Sequence, residues 1–421
     1  MIKRGITYFK KQKQFHNLSM YGFGQAFNLI TPILVIPYIV SICGETGYGK
    51  IGVGMAVAFF LMVFIDYGSE ILGVKQVAVN RDNHKELESI FTTTYAAKAL
   101  LLAMVIIVFS VIINFVPFFA TEKTLYLFSF TMVIGQFINP TWFFQGVENF
   151  KWITILNIIS KIIYLAGVFI FIKIPEDYIL SNLIWGIGMI VANGISFIYI
   201  IKKYSISFKN TDKGKVIELI KHNFSIFYSQ IFVSFQMYSP VVLISFFGNN
   251  AMAGQYKIID QIIVIFKTYL LLFFNYVYPR ICYLLEKNKK EALDFWKLYN
   301  GLNFVFITLS MIGIAIFALK VVAYFNPQEV EVIANLLKIA LFIPILQAIS
   351  IPLKQLVLGT NKQKVYVRTT MVITSVSLVM IVLITPFYKV FGVLLALIIT
   401  EIVTMIIYYA TIKNNLFGRS H

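Results

Sequence analysis

The residues of this chain best placed to do chemistry are charged side chains inside long apolar stretches. Six of them lie well within these stretches: Asp66, Lys98, Lys161, Asp260, Lys267 and Glu401. A charge exposed to hydrocarbon costs about 3 kcal/mol or more, so each must pair with another charge or line a polar cavity. Lysines in such a cavity can bind an anionic group, and carboxylates can bind a proton or Na⁺. The sequence therefore predicts a charged interior.

The spacing of these charges predicts which of them share a helix face. Asp66 and Glu70 are four residues apart, which places both on one face of a continuous helix. We interpret Glu70 as lying at the membrane surface. Asp260 and Lys267 are two helical turns apart on one face, so structural pairing between them is an alternative to a binding role for Lys267.

Motifs of soluble enzymes are absent from the sequence. The run GETGYGKI at 44–51 imitates a phosphate loop, but Ile51 stands where a Ser or Thr is required and no strand precedes it. We interpret this run as a Gly-rich turn between two helices. Cys/His clusters and nucleophile motifs are also missing. We predict no catalytic residue, no metal site and no cofactor, and hence a protein that is not an enzyme.

Twelve apolar stretches long enough to cross a bilayer fill the chain almost from end to end. The sequence is 59% hydrophobic and 13% charged, with a mean hydropathy of +0.80, and about 20 apolar residues span the hydrocarbon core. The predicted spans are 18–42, 51–74, 90–116, 124–144, 152–173, 178–201, 223–247, 252–274, 298–319, 332–356, 366–386 and 391–412. We predict an all-α integral membrane protein with twelve transmembrane helices.

Lysine and arginine fall mainly in every second gap between these stretches. The tails and gaps on one side of the membrane together contain about five times as many lysines and arginines as those on the other side. Short basic loops stay in the cytoplasm. Both termini and the loops 75–89, 202–222 and 280–297 are therefore predicted to be cytoplasmic. The formal net charge of +17 is explained by this topology and by anionic lipid headgroups. No contact with nucleic acid is predicted.

The chain divides into two halves with similar openings. Residues 28–51 and 236–258 each contain proline, then Ile and Val, then a Gly-bearing turn and an aromatic-Lys-Ile sequence. An even number of spans in each half makes the halves parallel repeats. We predict two six-helix lobes, residues 1–208 and 209–421.

Three prolines lie inside predicted transmembrane helices at the start of the two lobes, namely Pro32, Pro37 and Pro240. Each removes a backbone hydrogen bond and displaces a carbonyl group, so we predict a kink at each. Such kinks either shape the helices only or form flexing walls of a cavity.

Two segments resemble a known family. They are NPTWFFQGVENFKWITILNIISK at 139–161 and FIDYGSEILGVKQVAVNRDN at 64–83. The chain is similar to Wzx-type flippases for O-antigen and capsular-polysaccharide repeat units, within the multidrug/oligosaccharidyl-lipid/polysaccharide exporter (MOP) superfamily, which also contains the MATE transporters. The resemblance implies two lobes that move undecaprenyl-pyrophosphate-linked oligosaccharide between leaflets of the bacterial inner membrane. In the first segment, Trp142 and Phe143 are predicted to be anchors at the cytoplasmic interface.

The resemblance implies a role for each deep charge. A pyrophosphate headgroup needs compensating cations, and we predict Lys98, Lys161 and Lys267 as its ligands, with Lys161 and Lys267 in opposite lobes. The carboxylates that we predict to bind a coupling ion, H⁺ or Na⁺, are Asp66, Asp260 and Glu401. Expected partners are the lipid-linked oligosaccharide, the bilayer, a polysaccharide polymerase and a chain-length regulator.

Two other functions are considered. A multidrug or organic-cation exporter of the same superfamily would share the fold, but its cavity should be acidic. A membrane-embedded polysaccharide polymerase or ligase would have one large outer loop, whereas the largest predicted outer loop here has about a dozen residues.

Overall fold

The computed structural model describes residues 2–360 and 363–413, with side chains described for 27–209, 211–360 and 365–413. This part of the chain is helical and contains no strand. The helices are α1 (Ile2–Asp66), α2 (Val74–Val79), α3 (His84–Phe115), α4 (Pro117–Ala120), α5 (Lys123–Ile138), α6 (Thr141–Gly146), α7 (Phe150–Phe171), α8 (Tyr178–Lys203), α9 (Lys213–Phe247), α10 (Asn250–Lys287), α11 (Lys289–Ile316), α12 (Ala318–Ala323), α13 (Val330–Ala340), α14 (Phe342–Gly359) and α15 (Gln363–Ile412).

Asparagine side chains cap the N-termini of three of the long helices. The Asn83 side chain accepts a hydrogen bond from the backbone N–H of Glu86 at the start of α3. Asn249 does the same for α10, and Asn288 for α11. These caps satisfy backbone donors that have no partner within the helix, which is why the helices begin at these residues.

Nine helical segments among the described residues are long and apolar enough to cross a membrane. They are Phe27–Asp66, His84–Phe115, Phe150–Phe171, Pro175–Lys203, Lys213–Phe247, Asn250–Lys287, Lys289–Ile316, Val330–Gly359 and Val365–Ile412. Two of them contain a residue with non-helical backbone, Gly44 in α1 and Lys389 in α15. The predicted turn at 44–51 is thus a single break at Gly44, with helix on both sides. The three prolines lie inside α1 and α9, and their kinks stay a prediction.

The chain forms two compact units. The first consists of Met1–Cys43 and Lys50–Tyr238, and the second of Gly44–Gly49 and Ser239–His421. Helix α9 therefore contributes to both units, and so does α1. The lobes predicted from sequence repetition, 1–208 and 209–421, stay a prediction.

The core of the first unit lies around an aromatic cluster. Trp142, Phe143 and Phe144 of α6 are each at most 1% exposed and pack with Phe91 and Tyr95 of α3. The prediction that Trp142 and Phe143 are interface anchors is wrong. Burying large rings removes more apolar surface from the solvent than an interface position would, so α6 packs inward.

One end of the first unit brings together the loops 80–83, 147–149 and 204–212. Nη1 of Arg81 lies 3.2 Å from Oε1 of Glu148. The backbone N–H of Ser207 also donates to the Glu88 carboxylate at 2.9 Å. We call this the basic end, because these loops carry the residues that the charge count assigns to the cytoplasm.

The loops of the opposite end meet around Glu122. Its carboxylate lies 2.5 Å from Nζ of Lys50 and accepts a hydrogen bond from the Tyr178 hydroxyl at 2.7 Å. Within the same region, Nζ of Lys173 lies 3.4 Å from the Tyr38 hydroxyl. The two sets of loops thus lie at separate ends, as an alternating helix topology requires.

In the second unit, buried Glu45 holds the segment Gly44–Gly49 in place. Its carboxylate accepts hydrogen bonds from Nε2 of Gln255 at 2.9 Å and from the backbone N–H of Glu329 at 2.8 Å. Glu45 is 3% exposed. Such a carboxylate needs these donors, since a buried charge without hydrogen bonds is strongly unfavourable.

Candidate functional site

The helix that carries Asp66 breaks immediately after it. Helix α1 ends at Asp66, Tyr67 and Gly68 have φ of 46° and 79°, and a π-helical turn covers Ser69–Gly73. Glycine adopts this left-handed backbone without a steric penalty. The continuous helix predicted over 51–74 is therefore wrong. Non-helical backbone at membrane depth occurs where it is buried in protein or lines a cavity, so the break indicates a functional region.

Neighbouring side chains satisfy the backbone at this break. Nδ2 of Asn223, in α9, donates to the Tyr67 carbonyl at 3.1 Å. The Asp66 carboxylate accepts a hydrogen bond from the Ser69 hydroxyl at 2.6 Å and a longer one from the backbone N–H of Glu70 at 3.4 Å. Asp66 and Glu70 are thus neighbours, as the spacing predicts, but across a turn and not along one helix face.

Asp66 faces the ammonium group of Lys98. Nζ of Lys98 lies 4.0 Å from Oδ1 of Asp66, and the two residues are 2% and 7% exposed. At this burial the attraction between the charges is much stronger than in water. The structure therefore joins a predicted cargo ligand to a predicted coupling residue.

Two aromatic rings also lie near the Lys98 ammonium group. Its Nζ lies 5.7 Å from the ring centroid of Tyr95 and 6.0 Å from that of Trp142. Both distances are within the range of cation–π attraction. The aromatic cluster around α6 thus contributes to the placement of this ammonium group, and this gives the W-F-F-Q-G segment a physical role in the site.

A cavity of about 530 Å³ opens beside Asp66 in the first unit. Its polar lining residues are Asp66, Glu70, Gln136, Ser229, Gln230 and Ser234. Glu70 is exposed there and accepts a hydrogen bond from the Gln136 side chain. The rings of Phe59 and Tyr238 also line the cavity, 5.4 Å apart. The cavity is thus lined by carboxylates, amides, hydroxyls and aromatic rings. Such a lining suits either a ligand with many hydroxyl groups or a cationic ligand.

Lys161 lies elsewhere in the first unit. Its Nζ is 3.9 Å from the ring centroid of Trp185, and its side chain is half-buried. Trp185 meets Phe59 edge to face with centroids 6.0 Å apart. Lys161 is therefore connected to the cavity wall through Trp185 and Phe59, and it is not grouped with Asp66 and Lys98.

The other predicted residues belong to the second unit. Asp260 pairs with Lys257 at 3.7 Å, so the alternative in which Asp260 pairs with Lys267 is wrong. The three-residue spacing brings Lys257 within reach, and Lys267 lies too far along the helix. Lys267 is half-buried and has no ion pair among the described residues. The Glu401 carboxylate accepts hydrogen bonds from Gln347 and Ser350 of α14, both at 2.9 Å.

Several residues of the site were not predicted. The sequence did not indicate the positions of Ser69 and Asn223 in the site or the cavity role of Gln136. These depend on the break after Asp66 and on the packing of α9 beside it. Gln136 did give a signal, because an amide inside an apolar stretch is unusual. Among the described residues, no group of three or more His, Cys, Asp or Glu side chains is placed to hold a metal ion.

The family profile described as polysaccharide biosynthesis protein matches residues 15–284, more than half of the 421 residues. The chain belongs to this family. It is 23% identical over 399 residues to an Escherichia coli (strain K12) protein named "Putative O-antigen transporter", covering 93% of this chain and 94% of that protein. A Shigella dysenteriae protein of the same name is 21% identical, with 92% and 96% covered.

Solved structures of membrane transporters share the fold. An inward-facing multidrug resistance MATE family transporter superposes with a TM-score of 0.74 at 12% identity, covering 96% of this chain and 99% of that one. The lipid II flippase MurJ, inward closed, superposes with a TM-score of 0.76 at 14% identity, covering 93% and 87%. The resemblance found in the sequence is confirmed. This member of the polysaccharide biosynthesis protein family is a multi-pass protein of the bacterial inner membrane whose relatives are transporters and not enzymes.

Proposed function

We propose that this protein moves undecaprenyl-pyrophosphate-linked oligosaccharide repeat units from the inner to the outer leaflet by alternating access. The observation that carries the proposal is the cavity of about 530 Å³ with amide, hydroxyl and aromatic lining residues inside a membrane-helix unit. Sugar hydroxyls hydrogen-bond to amides and carboxylates, and sugar rings stack on aromatic faces. The relatives named as O-antigen transporters support the same cargo. A polymerase and a chain-length regulator would act on the translocated product.

The proposal includes twelve membrane crossings with both termini in the cytoplasm. The breaks at Gly44 and Lys389 each divide one long segment into two. Helix α5 has 16 residues, and with α6 it covers the predicted span 124–144. The two breaks turn the nine segments into eleven, and the shorter α5 adds one more. This count supports twelve crossings. The basic end of the first unit would face the cytoplasm.

Cysteine labelling tests this topology. In a variant with Cys43 and Cys282 replaced by alanine, a cysteine at the exposed position Gln328 should react with an impermeant maleimide added to intact cells. A cysteine at the exposed position Asp82 should react only after the cells are opened. Labelling of Asp82→Cys in intact cells would overturn the orientation.

Cation coupling through Asp66, Asp260 and Glu401 is the second part of the proposal. All three carboxylates are in membrane-spanning helices and have polar or charged contacts. An ion that binds one conformation more tightly than the other drives the cycle in one direction. H⁺ and Na⁺ are the candidate ions.

An organic-cation exporter is the second candidate function, and one observation favours it. The cavity contains two carboxylates, Asp66 and Glu70, and Lys98 pairs with only one of them. The uncompensated negative charge would attract a cationic compound. Sugar hydroxyls can also bind a carboxylate, so cargo must be tested directly.

The cargo is tested by complementation. The amount of surface polysaccharide is measured in cells that lack their own repeat-unit flippase and produce this protein instead. The wild-type protein should restore it when the matching glycosyltransferases are present. Gln136→Leu removes the hydrogen bond to Glu70 and should lower export about five- to thirty-fold, for a loss of about 1–2 kcal/mol. Gln145→Leu, on α6 and outside the cavity lining, is the matched control and should export normally.

Purified protein in liposomes separates the two functions. Translocation of a fluorescent undecaprenyl-pyrophosphate oligosaccharide should increase with an imposed H⁺ or Na⁺ gradient, and ethidium should not be transported. Ethidium transport without translocation of the lipid-linked sugar would favour the exporter. Unchanged gradient dependence in Asp66→Asn, Asp260→Asn and Glu401→Gln would contradict the coupling assignment.

A further inference from the structure

A second, much smaller cavity is also lined by Asp66. Its volume is about 10 Å³, close to the space that one water molecule requires. Lining residues that bear on its chemistry are Asp66, Ser69, Gln76, Thr94, Lys98 and Asn223. The cavity is therefore polar on several sides.

Three of these side chains carry a polar atom that has no hydrogen-bond partner among the described residues. The atoms are Nζ of Lys98, Oγ1 of Thr94 and Oδ1 of Asn223. Their residues are between 2% and 4% exposed. Buried polar atoms in native proteins are nearly always hydrogen-bonded, to protein or to ordered water. Three such atoms around one cavity indicate a bound molecule.

The charges around the cavity select the kind of molecule. The Asp66 carboxylate repels an anion, and the Lys98 ammonium repels a cation. Asn223 Oδ1 requires a hydrogen-bond donor, whereas Lys98 Nζ requires an acceptor. Water satisfies both, and a water with two to four polar partners is stable in such a space.

We propose that this cavity binds one water molecule that bridges the Lys98 ammonium to Asp66 and carries protons to that carboxylate. In the transfer, the water gives a proton to the Asp66 carboxylate and takes one from the next water toward the basic end. The bridging water is unchanged at the end of the step. Lys98 would then act on Asp66 and not on the cargo.

Shared lining residues define the route. A groove of about 380 Å³ is lined by Glu86, Glu218 and His222, among others. Gln76 and Leu219 line both this groove and the small cavity. Asp66 lines the small cavity and the large one. The small cavity thus adjoins both this groove and the proposed cargo cavity.

The charged groups that face Asp66 come from two elements. Lys98 faces it from α3, and Glu70 follows it across the break. The two α9 residues that line the small cavity, Leu219 and Asn223, are neutral. A proton on Asp66 would remove the attraction that holds Lys98 there. A role for this release of Lys98 in the transport cycle rests on the proposed function, whereas the water site and the proton route do not.

Two measurements on the full-length protein test the proposal. A cryo-EM map at about 2 Å resolution should contain density for one water within hydrogen-bond distance of Lys98 Nζ and Asn223 Oδ1. In liposomes that contain a pH-sensitive dye, a K⁺ diffusion potential should drive proton entry above the rate of protein-free liposomes. Absence of either result would overturn the proposal.

A matched pair of variants on α3 isolates the role of the cavity. Thr94→Val removes one polar partner of the water and should lower the proton entry rate roughly tenfold, equivalent to about 1.4 kcal/mol. Thr92→Val is the control, because the Thr92 hydroxyl binds the carbonyls of Glu88 and Ser89 and does not line the cavity. Its rate should stay within about twofold of wild type.

The outcomes separate this inference from the proposed function. Proton entry that depends on Thr94, without any translocation of lipid-linked sugar, would refute the cargo assignment and support the route. Normal sugar translocation with equal proton entry in wild type and Thr94→Val would refute the route alone.

Discussion

Replacement of Asp66 by Asn is expected to destabilise the protein by about 3–5 kcal/mol, because it leaves the ammonium group of Lys98 buried without a counter-charge. Lys98 is 2% exposed, so bulk solvent cannot replace the lost counter-charge. Lys98→Met should be similarly destabilising, since it isolates the carboxylate. The double variant Asp66→Asn, Lys98→Met removes both charges and should recover most of the stability. Thermal unfolding of the purified protein in detergent measures all three.

An exposed ion pair provides the control for this cycle. Glu148→Gln breaks the contact with Arg81 at 3.2 Å, where the side chains of Arg81 and Glu148 are 49% and 66% exposed. Exposed pairs contribute about 0–1 kcal/mol, so the unfolding temperature should hardly change. A double variant as unstable as the single ones would contradict a direct interaction between Asp66 and Lys98.

Removal of the positive charge at Lys161 or Lys267 is expected to abolish most cargo export. A diphosphate that loses one buried cationic partner loses about 2–5 kcal/mol of favourable interaction. This loss corresponds to a binding affinity that is lower by roughly thirty- to several-thousand-fold. Lys161→Gln and Lys267→Gln should therefore fail to restore surface polysaccharide. Arginine at either position should preserve more export than glutamine, although its planar group does not match an ammonium site fully.

The surroundings of the two lysines sharpen this test. The Lys161 ammonium lies over the Trp185 ring, a contact worth about 0.5–2 kcal/mol, so a purely structural role predicts a smaller loss. Lys203→Gln is the control, because the Lys203 ammonium also lies over aromatic rings, those of Tyr199 and Tyr204, and near-normal export is expected. The double variant Asp260→Asn, Lys267→Gln should fold and still fail to export. Full export by that variant would rule out cargo binding by Lys267.

The surroundings of Lys98 bear on its predicted role as a cargo ligand. The sequence places Lys98 inside an apolar stretch, which is equally consistent with a cargo ligand and with an internal counter-ion. Its contacts with Asp66 and the aromatic cluster favour the counter-ion. Lys161 and Lys267 have no such anionic partner among the described residues, so they remain the better predicted ligands of a diphosphate.

The sequence by itself determined the class of the protein and its family. The length and apolarity of a membrane helix are local properties, since about 20 consecutive residues must cover the hydrocarbon. The side of the membrane predicted for a short loop likewise depends on its own lysines and arginines, and this orientation stays a prediction. The motifs at 64–83 and 139–161 are also contiguous in the chain. None of these features requires knowledge of which helices pack together.

Only the tertiary structure decided which charges meet and what encloses them. The contact between Asp66 and Lys98 depends on the left-handed backbone at Tyr67 and Gly68 and on the packing of α3 beside it. The inward position of Trp142 depends on the cluster formed with Phe91 and Tyr95. Asp260 pairs with Lys257, although helical periodicity places Lys267 on the same face. Helical periodicity gives the direction of a side chain around its own axis, whereas a partner on another helix depends on rotation, breaks and packing that residues far apart in the sequence determine together.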